Sequence, residues 1–270
     1  MRRVIALITD FGLRDPYVGM MKGVIAALCP EAEVIDLTHG VPKYNVVLGA
    51  HILKISQRYF PEGTVFVGVI DPGVGSERRA VIIKSRRFWY VGPDNGLFIP
   101  AALEDGVETA WVIKREVAGI PSDIETFHGR DIFSPAAARL VCGADVNALG
   151  TPIKVEELVR IDSLPRKPEV VGEGAVSVGV IYFDDFGNAL LDSSLKDIEE
   201  LLGVTYGSAI EVSAGGRRFV GKLVKSFSHV SPGELSLYVG SYGLLEIARY
   251  MGSARELLGD VGRVVLRRLE

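Results

Sequence analysis

The first half of the chain alternates short apolar runs with amphipathic stretches. Helical spacing of apolar residues predicts helices over 17–28, 46–59 and about 132–141, and Pro30 ends the first of them. Continuous apolar runs predict strands at 4–8, 34–35, 65–70, 80–84 and 88–91. Because strands that alternate with helices form parallel sheets, the pattern predicts an N-terminal, Rossmann-like α/β domain with a mostly parallel sheet over residues 1–155.

The pattern changes after Gly150. Proline and charged residues are frequent in residues 156–173, which predicts a linker between two domains. Residues 174–270 are rich in strand patterns, with one predicted helix at 244–251 and strands at 175–183, 209–213, 217–224, 235–239 and 263–269. We therefore expect a smaller, mostly β, barrel-like C-terminal domain.

Composition narrows the class of protein without identifying it. The 270 residues are 48% hydrophobic and 24% charged, which is typical of a globular chain. The net charge of -4 argues against a nucleic-acid-binding protein, and no apolar stretch is long enough to predict a membrane-spanning helix. Cys29 and Cys142 have neither metal-ligand nor redox-pair spacing, so we expect both to be reduced and buried. The cytoplasm is then the simplest location.

Three of the predicted strands end in an aspartate, namely Asp10, Asp36 and Asp71. Parallel sheets bind ligands beyond the carboxyl ends of their strands, so these carboxylates could hold a ribose diol, a metal ion or a catalytic water. The alternative is that each aspartate caps the turn or helix that follows it. One such residue favours capping, whereas three on one edge predict that at least one is functional. For His128, in a polar segment before the predicted helix, structural and functional roles are equally supported.

Short motifs in a fixed order resemble those of one enzyme family. They are TDFG (9–12), YVG (17–19) with KG (22–23), TH (38–39), VIDPGVG (69–75), PDNG (93–96), FHGRD (127–131), DDFGN (184–188) and LEIA (245–248). Any one of them is a weak signal, but their order is specific. On these motifs, the chain resembles the S-adenosylmethionine hydrolases, or hydroxide adenosyltransferases, and the related bacterial fluorinases and chlorinases.

The resemblance implies a homotrimeric enzyme that hydrolyses S-adenosyl-L-methionine to adenosine and L-methionine. It implies no metal or cofactor, and a substrate bound between neighbouring subunits. The positions that match the family's water-handling triad are Asp71, Arg78 and His128; we expect Arg78 to keep Asp71 ionised by charge pairing. The positions assigned to substrate binding are Asp10, Tyr44, Asp184, Asp185, Phe186, Asn188, Ser241 and Met251.

Several of these positions have an implied partner on the substrate. Asp10 would bind both ribose hydroxyls, and Tyr44 would form an aromatic wall against the nucleoside. Asn188 and the backbone near Met251 would recognise adenine. Ser241 would hold the methionine carboxylate.

Some positions depart from the halogenases. Asp71 stands where they carry a tyrosine, and their long insertion after the strand at 80–84 is missing, so water rather than halide is the expected nucleophile. Tyr242 stands where they carry an arginine, which leaves open how the methionine carboxylate is neutralised. Either Asp184 or Asp185 could bind the amino group, and spacing does not choose between them.

Two other functions fit the residues less well. A metal-dependent phosphohydrolase could use Asp10, Asp36, Asp71 and His128 as ligands, although the sequence has no compact ligand motif. A sensor could bind S-adenosylmethionine or a nucleoside without turning it over. The combination of Asp71, Arg78 and His128 speaks against a sensor.

Overall fold

The computed structural model describes residues 2–121 and 125–269 of the chain. The chain folds as two compact units, Met1–Ser163 and Leu164–Glu270. The division between the units falls within residues 156–173. Within the described ranges, no helix is long and apolar enough to cross a membrane.

A seven-stranded sheet forms the middle of the N-terminal unit. Its strands are β1 (Val4–Thr9), β2 (Glu33–Thr38), β3 (Val65–Val69), β4 (Ala80–Ser85), β5 (Trp89–Pro93), β6 (Val107–Ile113) and β7 (Gly150–Ile153). In the described residues they lie in the order β2-β1-β3-β5-β4-β6-β7. β4 and β7 run against their neighbours and the other strands share one direction, so the prediction of a mostly parallel sheet is confirmed. The residues that follow the adjacent strands β1 and β3 meet at the carboxyl edge of the sheet.

Helices cover both faces of this sheet. They are α1 (Tyr17–Leu28), α2 (Val46–Ser56), α3 (Ile99–Asp105), α4 (Arg115–Ala118), α5 (Ser134–Val141) and α6 (Val146–Leu149). One face packs against α1 and α5 through buried residues that include Leu7, Met21 and Phe133. On the face of α2 and α3, Gly68 allows a close approach, since a β-carbon there would lie 2.6 Å from Leu97. Coverage on both faces explains why β1 and β3 are buried along their full length.

The helix predicted at about 132–141 begins with an irregular turn. Gly129–Phe133 forms a π-helix, and α5 continues directly from it. Pro135 has no backbone N–H to donate to the carbonyl of Asp131, which accepts a hydrogen bond from Ile120 at 2.9 Å. π-Helical turns are frequent at functional sites, and this one directly follows His128.

The C-terminal unit is a closed β-barrel. Its strands are β8 (Glu169–Gly172), β9 (Ala175–Phe183), β10 (Ala189–Leu191), β11 (Ala209–Ala214), β12 (Arg217–Leu223), β13 (Leu235–Val239), β14 (Leu245–Arg249) and β15 (Arg263–Arg268). The ring β10-β14-β13-β12-β11-β15-β9 closes because β9 also pairs with β10, while β8 pairs with the first part of β9. Helices α7 (Leu195–Leu202) and α8 (Ala254–Leu258) share its buried core. The predicted barrel-like domain is confirmed.

The helix predicted at 244–251 is wrong, because these residues form β14, which pairs with both β10 and β13. Leu244, Leu245, Ile247 and Ala248 are spaced so that they also fit one face of a helix. Periodicity alone does not separate a helix from a strand in so short an apolar run. Closure of the barrel decides the outcome, since β14 is buried over most of its length and its backbone is paired on both sides.

The expectation of two reduced cysteines is also wrong. Cys29 follows α1, Cys142 follows α5, and the two form a disulfide with Cα atoms 6.0 Å apart. The cysteines are 113 residues apart in sequence, and they meet because α1 and α5 pack against each other. Sequence spacing offers no sign of a contact that depends on tertiary packing. Disulfides are rare in cytosolic proteins, so the cysteines no longer argue for a cytoplasmic location.

Candidate active site

The carboxyl edge of the N-terminal sheet carries a cavity of about 220 Å³. Asp10 directly follows β1, Asp71 comes shortly after β3, and His128 precedes the π-helix. All three line the cavity, together with Tyr44 and Phe127. The structure therefore brings together, in one place, four of the residues that the sequence singles out.

Asp71, Arg78 and His128 form a continuous chain of polar contacts. Nε of Arg78 donates to Oδ1 of Asp71 at 3.0 Å, and Nη2 of Arg78 donates to Oδ2. The same Nη2 lies 2.6 Å from Nδ1 of His128. The guanidinium also lies over the ring of Phe133, 5.2 Å from its centroid. The side chains of Arg78 and Asp71 are only 10% and 4% exposed, so solvent and salt screen this ion pair weakly.

The contact with Arg78 determines the tautomer of His128. A guanidinium has donors and no acceptor, so Nδ1 of His128 has to accept, and the proton of the neutral ring lies on Nε2. Burial lowers the pKa of His128, and the positive charges of Arg78 and Arg115 lower it further, against the opposing effect of Asp71 and Asp131. His128 is therefore a neutral hydrogen-bond donor at neutral pH rather than an imidazolium.

Asp10 is held by the segment that carries Tyr44. The backbone N–H of Tyr44 donates to Oδ2 of Asp10 at 2.8 Å, and Nζ of Lys43 donates to the backbone carbonyl of Asp10. Tyr44 has a φ of 64°, in the left-handed region, and its side chain is 68% exposed. Strain of this kind costs about 1–3 kcal/mol and clusters at ligand-binding sites. The exposed ring of Tyr44 and the carboxylate of Asp10 line the same cavity.

Asp36 does not line this cavity. The prediction that it ends a strand is also wrong. It lies inside β2, where it pairs with Nζ of Lys22 at 2.6 Å and lies 3.0 Å from Nε2 of His39. Burial raises the pKa of Asp36, but the hydrogen bond from Lys22 and the close contact with His39 outweigh burial and bring the pKa below its ordinary value. Asp36 is therefore an ionised partner of Lys22.

The four ligands of the phosphohydrolase alternative do not converge. Within residues 2–121 and 125–269, the ligand atoms of Asp10, Asp36, Asp71 and His128 do not come close enough together to share one ion. Both oxygens of Asp71 also accept hydrogen bonds from Arg78, whose fixed positive charge would oppose a metal cation there. The geometry gives this alternative no support.

In the C-terminal unit, Asp184 shapes the turn between β9 and β10. Its Oδ1 accepts hydrogen bonds from the N–H groups of Phe186 and Asn188, at 3.0 and 2.8 Å. Its Oδ2 accepts from Nδ2 of Asn188 at 3.0 Å, which fixes the orientation of that amide. Asp185 is exposed, and its carboxylate makes none of the hydrogen bonds found in the described residues. Of the two aspartates, Asp185 is the one that remains available to an amino group.

A second cavity, of about 380 Å³, lies in the C-terminal unit and is lined by Phe186, Asn188, Phe227 and Met251, among others. The side chains of Phe186 and Met251 are 81% and 80% exposed. Met251 has a φ of 54°, and among the described non-glycine residues it shares a positive φ with Tyr44. Exposed apolar side chains beside an oriented amide suit a flat ligand with hydrogen-bonding edges.

The structure does not bring Ser241 to this second cavity. Ser241 and Tyr242 lie in the turn between β13 and β14, whereas Met251 lies beyond the other end of β14. The hydroxyl of Tyr182 donates to that of Tyr242 at 3.2 Å. Burial raises the pKa of Tyr182, and the hydrogen bond with Tyr242 raises it further. The predicted carboxylate contact and the predicted adenine contact therefore lie at opposite ends of one strand.

Several groups at both cavities were not predicted from sequence. Lys43 and Phe127 line the first cavity, and Phe227 and Tyr250 line the second. Lys43 directly precedes the singled-out residue Tyr44, and Phe127 is already the first residue of the motif FHGRD, although no separate role was predicted for it. Phe227 lies in a polar segment outside every motif, where the sequence carries no comparable signal.

Both units match known proteins. Residues 5–150 match the SAM hydroxide adenosyltransferase N-terminal domain, and residues 178–262 match the corresponding C-terminal domain. The chain is 42% identical over 265 residues to a Thermus thermophilus protein named (R)-S-adenosyl-L-methionine hydrolase, with 95% of this chain and 96% of that protein covered. It is 28% identical over 273 residues to a fluorinase from Actinoplanes sp., with 91% and 90% covered.

A solved structure of an uncharacterized conserved protein from Thermotoga maritima is also similar. Its TM-score is 0.83 at 35% sequence identity, with 98% of this chain and all of that chain covered. The order of an α/β unit followed by a closed barrel thus agrees with matches that extend over nearly the whole chain. The chain belongs to the SAM hydroxide adenosyltransferase family.

Proposed function

We propose that this protein hydrolyses S-adenosyl-L-methionine to adenosine and L-methionine by in-line attack of water on C5′ of the ribose. The observation that supports this most directly is the chain of contacts from Asp71 through Arg78 to His128, at a cavity that also holds Asp10. The Thermus thermophilus relative is named for the (R) epimer of the sulfonium, and we extend that specificity to this protein.

The chemistry of the substrate determines what the site has to supply. A sulfonium leaves as a neutral thioether, so no acid is needed to protonate the leaving group. The scarce component is a water molecule held in line behind C5′ and kept apart from bulk solvent. Orientation of reacting groups contributes up to about 7–11 kcal/mol in well-ordered systems. We therefore assign Asp71, Arg78 and His128 to holding and deprotonating water.

Asp71 is the acceptor in this mechanism. Hydrogen bonds donated by the described residues, from Gly73 and Arg78, fill three of the roughly four acceptor positions of its carboxylate. The remaining position accepts an O–H of the water, and Nε2–H of His128 donates to the water oxygen. As the C–O bond forms and the C–S bond breaks, the proton released by water passes to Asp71. Arg78 contacts both Asp71 and His128 and holds the two side chains in position relative to each other.

The remaining residues are assigned to substrate binding. Asp10 binds the ribose hydroxyls beside the ring of Tyr44, and Asn188, oriented by its neighbouring carboxylate, recognises adenine together with the backbone near Met251. Asp185 binds the amino group. We also propose that Ser241 holds the methionine carboxylate and that the substrate binds between neighbouring subunits of a homotrimer. A fully active monomer in analytical ultracentrifugation would contradict the trimer.

Water is favoured over halide as the nucleophile. Asp71 places a negative charge where a halide would have to bind, and like charges about 4 Å apart repel by roughly 4 kcal/mol at an intermediate effective dielectric. Removing an anion from water is also costly unless the site supplies donors, and the side chain of Val74 at the cavity has none. Water is neutral and can donate to Asp71, so it faces neither cost.

The direct test is incubation of the purified protein with the (R) and (S) epimers of S-adenosylmethionine, followed by chromatography and mass spectrometry. We expect equal amounts of adenosine and L-methionine from the (R) epimer, with no loss of rate in a metal chelator. Chloride or fluoride in the buffer should give no 5′-halo-5′-deoxyadenosine. A halogenated nucleoside as the main product would overturn the proposal, and so would tight binding without turnover, which supports a sensor instead.

A further inference from the structure

The turn at 93–96, with the sequence PDNG, has no part in the chemistry proposed so far. It follows β5 at the carboxyl edge of the N-terminal sheet, and β5 lies between β3 and β4. Asp71 follows β3 and Arg78 precedes β4, so the segment that joins them crosses the end of β5. The turn at 93–96 therefore lies between the two backbone segments that carry the ion pair.

Asn95 holds the backbone on the side of Asp71. Its Nδ2 donates to the carbonyl of Ile70 at 2.8 Å, and its Oδ1 accepts the N–H of Leu97 at 3.2 Å. Ile70 is fully buried and directly precedes Asp71. The side-chain amide of Asn95 thus fixes the peptide group that joins Ile70 to Asp71.

Asp94 holds the backbone on the side of Arg78. Its Oδ2 accepts from Nε of Arg79 at 2.8 Å and forms an ion pair with Nη2 of the same side chain at 2.5 Å, and its Oδ1 accepts the N–H of Val159 at 2.9 Å. The backbone N–H of Asp94 also donates to the carbonyl of Arg79 at 2.9 Å. The Asp94 side chain is only 3% exposed. Because Arg79 directly follows Arg78, these bonds fix the point from which the guanidinium reaches Asp71.

We propose that Asp94 and Asn95 are positioning residues, which fix both ends of the 71–78 segment and thereby hold Arg78 against Asp71 and His128. Neither residue is among the described residues that line the first cavity, so they act through their neighbours. The kinetic part of the test rests on the proposed function, because the water-holding role of the ion pair belongs to that proposal.

The test uses two isosteric variants of the full chain, Asp94→Asn and Asn95→Asp. The first loses the charge that pairs with Arg79, and the second loses the donor to Ile70 while keeping an acceptor for Leu97. A displacement of about 1 Å in a catalytic site can cost about 100-fold in rate. We therefore expect kcat to fall by about 10- to 100-fold in each variant, with KM unchanged.

Titration of His128 by NMR gives a second readout that needs no turnover. After burial, the charges of Arg78 and Arg115 lower the pKa of His128. If Asp94→Asn lets Arg78 move away, the pKa of His128 rises toward its ordinary value. The resonance is assigned with the variant His128→Gln. A loss of global stability alone would not move this pKa in the folded protein.

Asp105→Asn is the matched control. The Asp105 side chain is 3% exposed, as is that of Asp94, and it pairs with Nε of Arg87 at 2.7 Å. This pair lies at the opposite edge of the same sheet, where β4 ends and β6 begins. We expect a similar loss in Tm for the two asparagine variants, but wild-type kcat and a wild-type pKa of His128 in Asp105→Asn.

Two results would overturn the positioning role. One is a wild-type kcat together with a wild-type pKa of His128 in both Asp94→Asn and Asn95→Asp. The other is an equal fall in kcat for Asp105→Asn, which would attribute the effect to general destabilisation. A wild-type protein that does not turn over S-adenosylmethionine contradicts the proposed function instead. In that case the titration of His128 still decides whether Asp94 positions Arg78.

Discussion

The two edges of the N-terminal sheet each hold a buried aspartate paired with an arginine, but the two pairs leave different groups available. At the carboxyl edge, Arg78 bonds to both oxygens of Asp71 and also contacts His128. One acceptor position of Asp71 and the Nε2 proton of His128 remain beside a cavity. At the amino edge, Asp105, the last residue of α3, pairs with Arg87, which lies in the turn between β4 and β5.

At the amino edge, the carboxylate of Asp105 is held by three hydrogen bonds. Asp105 accepts from the hydroxyl of Ser85 at 2.7 Å and from the N–H and Nε of Arg87 at 2.8 and 2.7 Å. Burial raises the pKa of Asp105, but these hydrogen bonds outweigh burial and bring the pKa below its ordinary value. The disulfide between Cys29 and Cys142 lies at this edge too, after α1 and before β2. Asp105 and Arg87 also line a cavity, of about 210 Å³, so neither the ion pair nor a neighbouring cavity distinguishes the two edges. The difference is that Arg78 also contacts His128, whose ring lines the same cavity as Asp71 and Asp10.

Exchanging the carboxylate for an amide at each edge should give the largest difference in turnover. We expect Asp71→Asn to lower turnover by about 10²–10⁴-fold, the usual contribution of a positioned acid–base group, while substrate still binds. Asp105→Asn should keep wild-type turnover and lose stability by about 1–3 kcal/mol, because it weakens charged hydrogen bonds. Steady-state kinetics, calorimetric binding and thermal unfolding check the pair. Near-wild-type turnover in Asp71→Asn would show that the role assigned to Asp71 is wrong.

Removing each arginine should change the pH dependence at one edge only. Because the pKa of His128 lies below its ordinary 6.5, kcat of the wild type should stay constant as the pH falls through that value. Arg78→Met removes a positive charge, so the acid limb of kcat should move to higher pH and kcat should fall by about 10- to 100-fold. Arg87→Met should leave the profile unchanged. An identical acid limb in Arg78→Met and wild type would contradict the coupling of Arg78 to His128.

The lowered pKa of His128 also makes the free energy of unfolding depend on pH. The pKa of His128 is lower in the folded chain than in the unfolded chain, so the unfolded chain binds more protons as the pH falls through 6.5. The free energy of unfolding should therefore decrease below that pH, and it should decrease less in His128→Gln. Chemical denaturation at a series of pH values measures the difference.

Breaking the disulfide should have the smallest effect on turnover and a clear effect on stability. A cross-link that closes a loop of this length stabilises by about 4–5 kcal/mol in the chain-entropy model. We expect reductant, or Cys142→Ser, to lower the denaturation midpoint while kcat at 25 °C changes by less than about twofold. Two titratable thiols in the native, unreduced protein would contradict the cross-link.

Much of the fold was predictable where local signals and tertiary packing agree. The helix at 17–28 and the strand at 175–183 have the same bounds in sequence and structure. A further helix, α7, was missed although Ser194 caps its first turn and Gly203, with a φ of 63°, ends it. Those signals are local and could have been read. The strand at Leu245–Arg249 could not, because only its partners in the closed barrel distinguish it from a helix.

The residues of the two cavities were predictable to different degrees. Asp10 and Asp71 follow adjacent parallel strands, so their convergence follows from topology. The contact of Arg78 with His128 joins segments 50 residues apart, and neither motif spacing nor charge pattern reveals its geometry. Sequence spacing also could not reveal that the carboxylate of Asp184 is engaged within its own turn, which only the hydrogen bonds of that turn show.

The most direct test of the central claim is a reaction in water labelled with oxygen-18. If Asp71 and His128 hold water in line with C5′, the label enters the 5′-hydroxyl of adenosine and none appears in methionine. Mass spectrometry of both products measures this in one experiment. We expect singly labelled adenosine and unlabelled L-methionine from S-adenosylmethionine. Unlabelled adenosine, or 5′-methylthioadenosine with a labelled homoserine, would place the attack elsewhere and contradict the assigned reaction.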